Sequence, residues 1–165
     1  MIVRLCKIAM VAAIAFFASL VAFGNITDYG TNMAFVQHVL LMDTIFPGST
    51  ITYRAISSPD LQQAFYILII AAETLTAVLC WIGAFIMLAH IGCGAAAFNR
   101  SKQWAVAGLA FGFLLWQMAF QSIGGEWFGM WMSHVWNGED SAFRDFITIL
   151  GVLIFVSLPE RDEAC

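Results

Sequence analysis

Residues 64–90 read AFYILIIAAETLTAVLCWIGAFIMLAH, and the only Asp, Glu, Lys or Arg in this stretch is Glu73. A helix needs about 20 mostly apolar residues to cross the hydrocarbon core of a bilayer. This stretch is longer than that and contains no proline, which would interrupt a helix. It therefore predicts a membrane-spanning helix with one carboxyl group inside the apolar region.

The whole chain has the composition of an integral membrane protein. Of its 165 residues, 61% are hydrophobic and 11% are charged, and the mean hydropathy is +0.84. Soluble domains have a charged share of about 25%, so this chain has too little polar surface to cover a soluble globule. We expect one all-α domain over residues 1–165, a bundle of four transmembrane helices with a small periplasmic cap. The predicted spans are 5–23, 64–90, 104–123 and 143–158, and the predicted outer loops are 24–63 and 124–142.

The basic residues predict the orientation of these spans. Loops on the cytoplasmic side of a membrane carry an excess of Lys and Arg. Most basic residues of this chain fall on the side that holds both termini, so both termini are expected in the cytoplasm. The basic residues are Arg4, Lys7, Arg100, Lys102 and Arg161 on that side, and Arg54 and Arg144 on the outer side.

The first span has an alternative interpretation as a cleaved signal peptide. Arg4 and Lys7 precede an apolar run that ends in Ala22-Phe23-Gly24, and small residues at such positions are typical of a cleavage site. The length of the apolar run favours a retained membrane helix. Cleavage would leave three spans and an N-terminus on the outer side.

Short motifs predict where helices begin and end in the outer loops. Ser58 followed by Pro59 is typical of a helix start, with the serine as the cap. Residues 31–43 carry apolar side chains at helical spacing, which predicts a short helix. Gly124 and Gly125 predict the end of the third span, because glycine readily takes the left-handed conformation.

Composition and spacing argue against several classes of protein. A net charge of −4 with only seven basic residues argues against nucleic acid as a partner. The four cysteines form no CxxC motif and no Cys/His spacing of a zinc site. The three histidines do not fall at matched depths on two spans, as a membrane haem requires. We expect no cofactor and no metal and, because no nucleophile with a matched base is visible, no enzyme activity.

Polar side chains fall in the outer halves of all four predicted spans. Glu73 lies well inside the second span, where an ionisable residue is expensive. The predicted intramembrane polar cluster is Glu73, Gln117, Gln121, Ser19 and Thr148. One hypothesis is a hydrogen-bonded cluster that fixes helix packing, with about 0.6 kcal/mol per bond. The other is a proton-linked or small-ligand site with Glu73 as the titrating group.

The second outer loop is rich in aromatic residues. Tryptophan at a membrane interface is commonly an anchor. Aromatic and methionine side chains are also enriched at the centres of protein interfaces, so the alternative is a periplasmic docking surface. Its predicted members are Glu126, Trp127, Phe128, Met130, Trp131, Trp136 and Arg144.

Gly108 and Gly112 stand four residues apart in the third span. Small residues at this spacing let another helix approach closely. The partner is either another helix of the same bundle or a second copy of the chain, which would form a homodimer.

Two outer-loop segments are distinctive. The first contains the motif residues Asp28, Tyr29, Gln37, His38 and Asp43, and the second contains Gly124-Gly125-Glu126-Trp127-Phe128 and Trp136-Asn137-Gly138. With these segments the chain resembles, over nearly its whole length, the predicted small integral membrane proteins of unknown function found in proteobacteria. The resemblance implies a four-span inner-membrane protein of Gram-negative bacteria, and it implies no reaction. Because the distinctive residues lie in the outer loops, any specific function is expected on the periplasmic face.

Three functions are compatible with this sequence. The leading hypothesis is a non-enzymatic accessory or assembly subunit that docks on a larger inner-membrane complex through its aromatic loop. The alternative is a small transporter or proton-linked protein that uses Glu73 and Gln117. The third is a sensor that binds a lipid or a quinone, and membrane lipid is an expected partner in every case.

Overall fold

The structure is a computed structural model that describes residues 1–161, so Cys165 lies outside the described residues. The described part of the chain is helical and contains no β-strand, which confirms the predicted all-α class. The helices are α1 (Ile2–Thr27), α2 (Tyr29–Leu41), α3 (Pro59–Ala89), α4 (Ala95–Ser101), α5 (Gln103–Leu114), a π-helix (Leu115–Trp127) and α6 (Glu139–Ser157). Short 3₁₀ turns cover Thr52–Arg54 and Met130–Met132.

Three helical segments of the described chain are long and apolar enough to cross a membrane. They are Ile2–Thr27, Pro59–Ala89 and Ala95–Trp127, and they correspond to the first three predicted spans, the second of which was predicted to end one residue later, at 90. The fourth predicted span, 143–158, corresponds to α6, which does not reach the same apolar character. The reason is its first two turns, which contain the charged residues Glu139, Asp140, Arg144 and Asp145.

Small residues set the packing of α3 against α5. A Cβ atom on Gly108 would lie 2.8 Å from the backbone nitrogen of Cys80, and a Cβ on Gly83 would overlap the backbone of Ala105. Gly112 likewise faces Thr76 of α3. The helix face that carries Gly108 and Gly112 is therefore occupied by α3 of the same chain.

The motif at the start of α3 forms the predicted cap. The Ser58 side chain accepts a hydrogen bond from the backbone N–H of Leu61 at 3.5 Å, and Pro59 is the first helical residue. The predicted short helix is also present as α2, which ends earlier than expected because Met42 adopts a left-handed conformation with φ of 54°.

Gly124 and Gly125 do not end the third span, contrary to the sequence prediction. The helix continues through both residues to Trp127 as a π-helix, in which Phe128 N–H donates to the carbonyl of Ile123 at 2.9 Å. Both glycines are buried, and a Cβ on Gly125 would overlap the carboxyl group of Glu139. They therefore allow close packing against α6 instead of terminating the helix.

Helix ends meet at both ends of the bundle. At one end, Arg4 Nη1 donates to the carbonyl of Ile91 at 2.8 Å, and Lys7 Nζ donates to the carbonyl of Leu158 at 2.6 Å. We call this the closed end and define it by Arg4, Lys7, Lys102 and Glu160. The open end is opposite, and it is formed by the end of α1, by α2, by the start of α3 and by residues 128–138.

Candidate functional site

The open end contains a cavity of about 430 Å³ that we call the polar cavity. It lies between α1, α2, α3, the π-helix and α6. Several side chains that line it can form hydrogen bonds. These are Asn25, Asn32, Tyr66, Glu73, Trp116, Trp136, Asn137, Ser141 and Asp145.

Glu73 is the most buried acidic group of the polar cavity, with 1% of the residue exposed. Its Oε2 atom accepts a hydrogen bond from Asn25 Nδ2 at 2.7 Å. The Tyr66 hydroxyl donates to the backbone carbonyl of Asn25 at 2.8 Å, which ties the end of α1 to α3. The Oε1 atom of Glu73 accepts no hydrogen bond within residues 1–161, and Glu73 is one of the residues that line the cavity.

The structure does not bring the predicted polar cluster together. Gln121 Nε2 donates to the backbone carbonyl of Glu139 at 2.6 Å, and the Ser19 hydroxyl accepts from Trp81 Nε1 at 3.2 Å. Thr148 is exposed and bonds within its own helix. The partner of Glu73 is instead Asn25, which the sequence analysis assigned to a loop.

Both glutamines lie in the π-helix Leu115–Trp127. In this helix the Ser122 hydroxyl donates to the backbone carbonyl of Gln117, five residues earlier, at 3.1 Å. Gln121 bonds to the backbone of α6 and Glu73 bonds to Asn25, so within residues 1–161 neither glutamine is hydrogen-bonded to Glu73.

A second cavity, of about 710 Å³, adjoins the polar cavity. We call it the apolar cavity, because it is lined by hydrophobic side chains and Gly124, with no Asp, Glu, Lys, Arg or His among the described lining residues. It lies between α2, α3, the π-helix and residues 127–130. Residues that line both cavities are Phe35, Val36, Ile69 and Phe120. A molecule with a polar end and an apolar end could occupy both spaces.

The distinctive loop residues contact one another at the open end. His38 Nδ1 lies 2.8 Å from Asp43 Oδ2, and the His38 ring stacks on Trp136 at 4.6 Å between centroids. Tyr29 packs edge-on against Tyr66, with 4.8 Å between ring centroids. Of the remaining motif residues, Asp28 is exposed and Gln37 is half-buried. The two outer loops are thus joined through His38 and Trp136 above the polar cavity.

The predicted docking surface is only partly available on the outside. Trp127 and Trp131 are 50% and 47% exposed, and Glu126 and Arg144 are exposed as well. Phe128 and Met130 are buried and line the apolar cavity, because the chain turns inward after the π-helix ends. Phe128 and Met130 were predicted to belong to the docking surface, but in the structure they line the apolar cavity instead.

Arg54 stabilises the exposed Trp127. Its guanidinium lies 4.6 Å from the centre of the Trp127 ring, and its Nη1 donates to the Trp127 carbonyl at 3.1 Å.

Within residues 1–161, no three His, Cys, Asp or Glu side chains are arranged to hold a metal ion.

Comparison with known proteins gives one family. The model of the family described as predicted small integral membrane protein (DUF2165) matches residues 3–159. No curated protein and no solved structure matches the chain.

Proposed function

Because the chain belongs to this family of predicted small integral membrane proteins, we propose that it is a non-enzymatic membrane protein that binds an amphiphilic molecule at its open end. The observation that supports the proposal is the pair of adjoining cavities, one polar and one apolar. Their sizes fall within the range of about 300–1,000 Å³ that is typical of small-molecule sites. A hydrocarbon tail from the bilayer would exchange contacts with lipid for packing contacts with the apolar side chains of this cavity.

The proposal includes four spans in a bacterial inner membrane. The α6 helix has 19 residues, about 28 Å at about 1.5 Å per residue, so its charged first two turns would lie in the head-group region and its later turns in the hydrocarbon. Its first residue, Glu139, accepts a hydrogen bond from Gln121 at the open end, and Leu158, directly after its last residue, accepts one from Lys7 at the closed end. The basic residues of the closed end favour the cytoplasm, which puts both termini there and the open end in the periplasm.

Filling the apolar cavity tests the proposal. Ala72 lines this cavity, whereas its neighbour Ala71 is exposed on the same helix. Protein extracted in a mild detergent should release about one amphiphile per chain on solvent extraction. We expect Ala72→Phe to lose this molecule and the matched control Ala71→Phe to retain it. Equal retention by both variants, or no bound amphiphile in the unmodified protein, would overturn the proposal.

A second candidate function is docking on a larger membrane complex, as an accessory or assembly subunit. The observation that favours it is a group of exposed aromatic residues at the open end, Phe46, Tyr53, Trp127 and Trp131. Phe46 and Trp131 pack edge-on at 5.7 Å, which makes part of this surface rigid. Replacing Phe46 and Trp131 together by alanine should then remove a co-purifying protein while the bound amphiphile remains, because neither residue lines either cavity. A chain that travels alone in its native membrane extract would contradict this second function.

A further inference from the structure

The charges around the polar cavity are unbalanced. Two carboxyl groups line it, Glu73 from α3 and Asp145 from α6. The described lining residues include no Lys, Arg or His. An anionic head group would therefore face two acidic groups without any basic partner inside the cavity. The surroundings favour a ligand that brings hydrogen-bond donors or positive charge.

The surroundings of Glu73 further favour a ligand with a positively charged hydrogen-bond donor. The residue is almost completely buried, and its one hydrogen bond within residues 1–161 comes from a neutral amide, Asn25. A buried carboxylate without a cation is unfavourable, because neutral partners recover only part of its lost hydration. Glu73 lines the cavity and its Oε1 atom accepts no hydrogen bond within residues 1–161, so a donor on a ligand in the cavity can bond to this carboxyl group.

We propose that the amphiphile is a lipid whose head group ends in a primary ammonium, and that the ammonium lies between Glu73 and Asp145. This inference rests on the proposed function and names the class of its ligand. An ammonium has three N–H donors and one positive charge, and both carboxylates can accept from it. A quinone head group would present carbonyl oxygens, which accept and do not donate, to the same two acidic groups.

The rim of the polar cavity suits a zwitterionic head group. Ser141 lines the cavity, and Arg144 Nη2 donates to its hydroxyl at 3.0 Å. Arg144 itself is exposed, so its charge lies at the mouth and not inside. A phosphate next to the ammonium can approach this guanidinium, while the acyl chain enters the apolar cavity. An aminophospholipid of the bilayer combines these three parts.

Binding of lipids with matched chains tests the inference. Trp116 and Trp136 line the polar cavity, so their fluorescence reports an occupied head-group site. The probes are short-chain phosphatidylethanolamine, phosphatidylcholine and phosphatidylglycerol, titrated into the full-length protein in detergent. We expect phosphatidylethanolamine to bind at least tenfold more tightly than the other two lipids. Glu73→Gln together with Asp145→Asn should abolish this preference.

Controls separate this inference from the proposed function. Asp140→Asn removes an exposed carboxylate from the same helix and should leave the preference unchanged. If the double variant does not fold, stepwise N-methylation of phosphatidylethanolamine with the unmodified protein gives the same test, and affinity should fall with each methyl group. Equal binding of the three lipids, or a preference for phosphatidylglycerol, would overturn the ammonium site and leave amphiphile binding intact. Absence of binding by all three would contradict both.

Discussion

The closed end and the open end differ in the partners that they provide for a buried ionisable side chain. At the closed end, Lys7 is 2% exposed, and its Nζ donates to Glu160 Oε1 at 2.7 Å and to the Leu158 carbonyl at 2.6 Å. At the open end, Glu73 is equally buried, but within residues 1–161 its one hydrogen-bond partner is the Asn25 amide, and a cavity lies beside it. The ion pair at the closed end fixes how helices meet, whereas the carboxyl group without a basic partner leaves room for a ligand.

At the closed end, the carboxylate of Glu160, which follows α6, contacts basic residues of α1 and of the junction between α4 and α5. Lys102 Nζ donates to Asn99 Oδ1 and to the Leu158 carbonyl, both at 2.8 Å. Asn99 Oδ1 also accepts from the backbone N–H of Glu160 at 2.9 Å. Glu160 thus lies among three basic residues, Arg4, Lys7 and Lys102, which are 3.9, 2.7 and 4.0 Å from its carboxylate oxygens. These contacts hold the helix ends together at the closed end.

The largest expected difference concerns added volume, at the tight contact between α3 and α5 and at the open end. Gly83→Val should destabilise the protein by about 3 kcal/mol, because the new side chain overlaps the backbone of Ala105. Ala72→Phe should change stability by less than about 1 kcal/mol, since its side chain enters the apolar cavity. Thermal unfolding in detergent measures both effects. A similar loss in the two variants would mean that the open end is packed as tightly as the rest.

A smaller difference in stability is expected when Glu160 at the closed end and Glu73 at the open end are each replaced by glutamine. Glu160→Gln should cost about 2 kcal/mol, because it leaves three basic residues without their carboxylate. Glu73→Gln should change stability by less than about 1 kcal/mol, since the new side-chain carbonyl still accepts from Asn25. Glu126→Gln, at an exposed position, is the control for both. A greater loss of stability from Glu73→Gln than from Glu160→Gln would contradict the account, because Glu73 and not Glu160 would then contribute more to the stability of the fold.

The smallest expected effect is a pH dependence at the closed end. Burial alone would raise the pKa of Glu160, but the hydrogen bond from Lys7 lowers it. The positive charges of Lys7, Lys102 and Arg4 lower the pKa further, so that it lies below its usual value. A carboxylate with a lowered pKa stabilises the fold at pH values above its unfolded pKa of about 4.3.

This stabilisation should be lost as the pH falls below about 4 and Glu160 becomes protonated. The melting temperature, measured from pH 3 to pH 7 in a non-ionic detergent, should drop at the acid end. The drop should be smaller in Glu160→Gln, which has no carboxylate to protonate. Identical pH profiles for the two proteins would show that Glu160 does not contribute.

The sequence predicted apolar helices and a carboxyl group within the second of them, at Glu73, but not its partner. Apolar runs locate spans well, yet α1 continues through Asn25 to Thr27 beyond its most apolar part, so the amide was placed in a loop. The predicted polar cluster did not form because Gln121 bonds to the backbone of α6, a partner that residue spacing alone does not indicate. Phe128 and Met130 were assigned to the outside because an aromatic loop looks the same whether it faces a partner or a cavity.

Photo-crosslinking tests the central claim, an amphiphile with its tail in the apolar cavity, most directly. The probe is a phosphatidylethanolamine with a diazirine in its acyl chain, incorporated into membranes that contain the full-length protein. Peptide mass spectrometry should find the label on cavity-lining residues such as Phe65, Ala72 and Ala119, and excess unlabelled phosphatidylethanolamine should suppress it. Label spread over exposed residues such as Phe16 and Phe85, without enrichment at the cavity and without competition, would contradict the account.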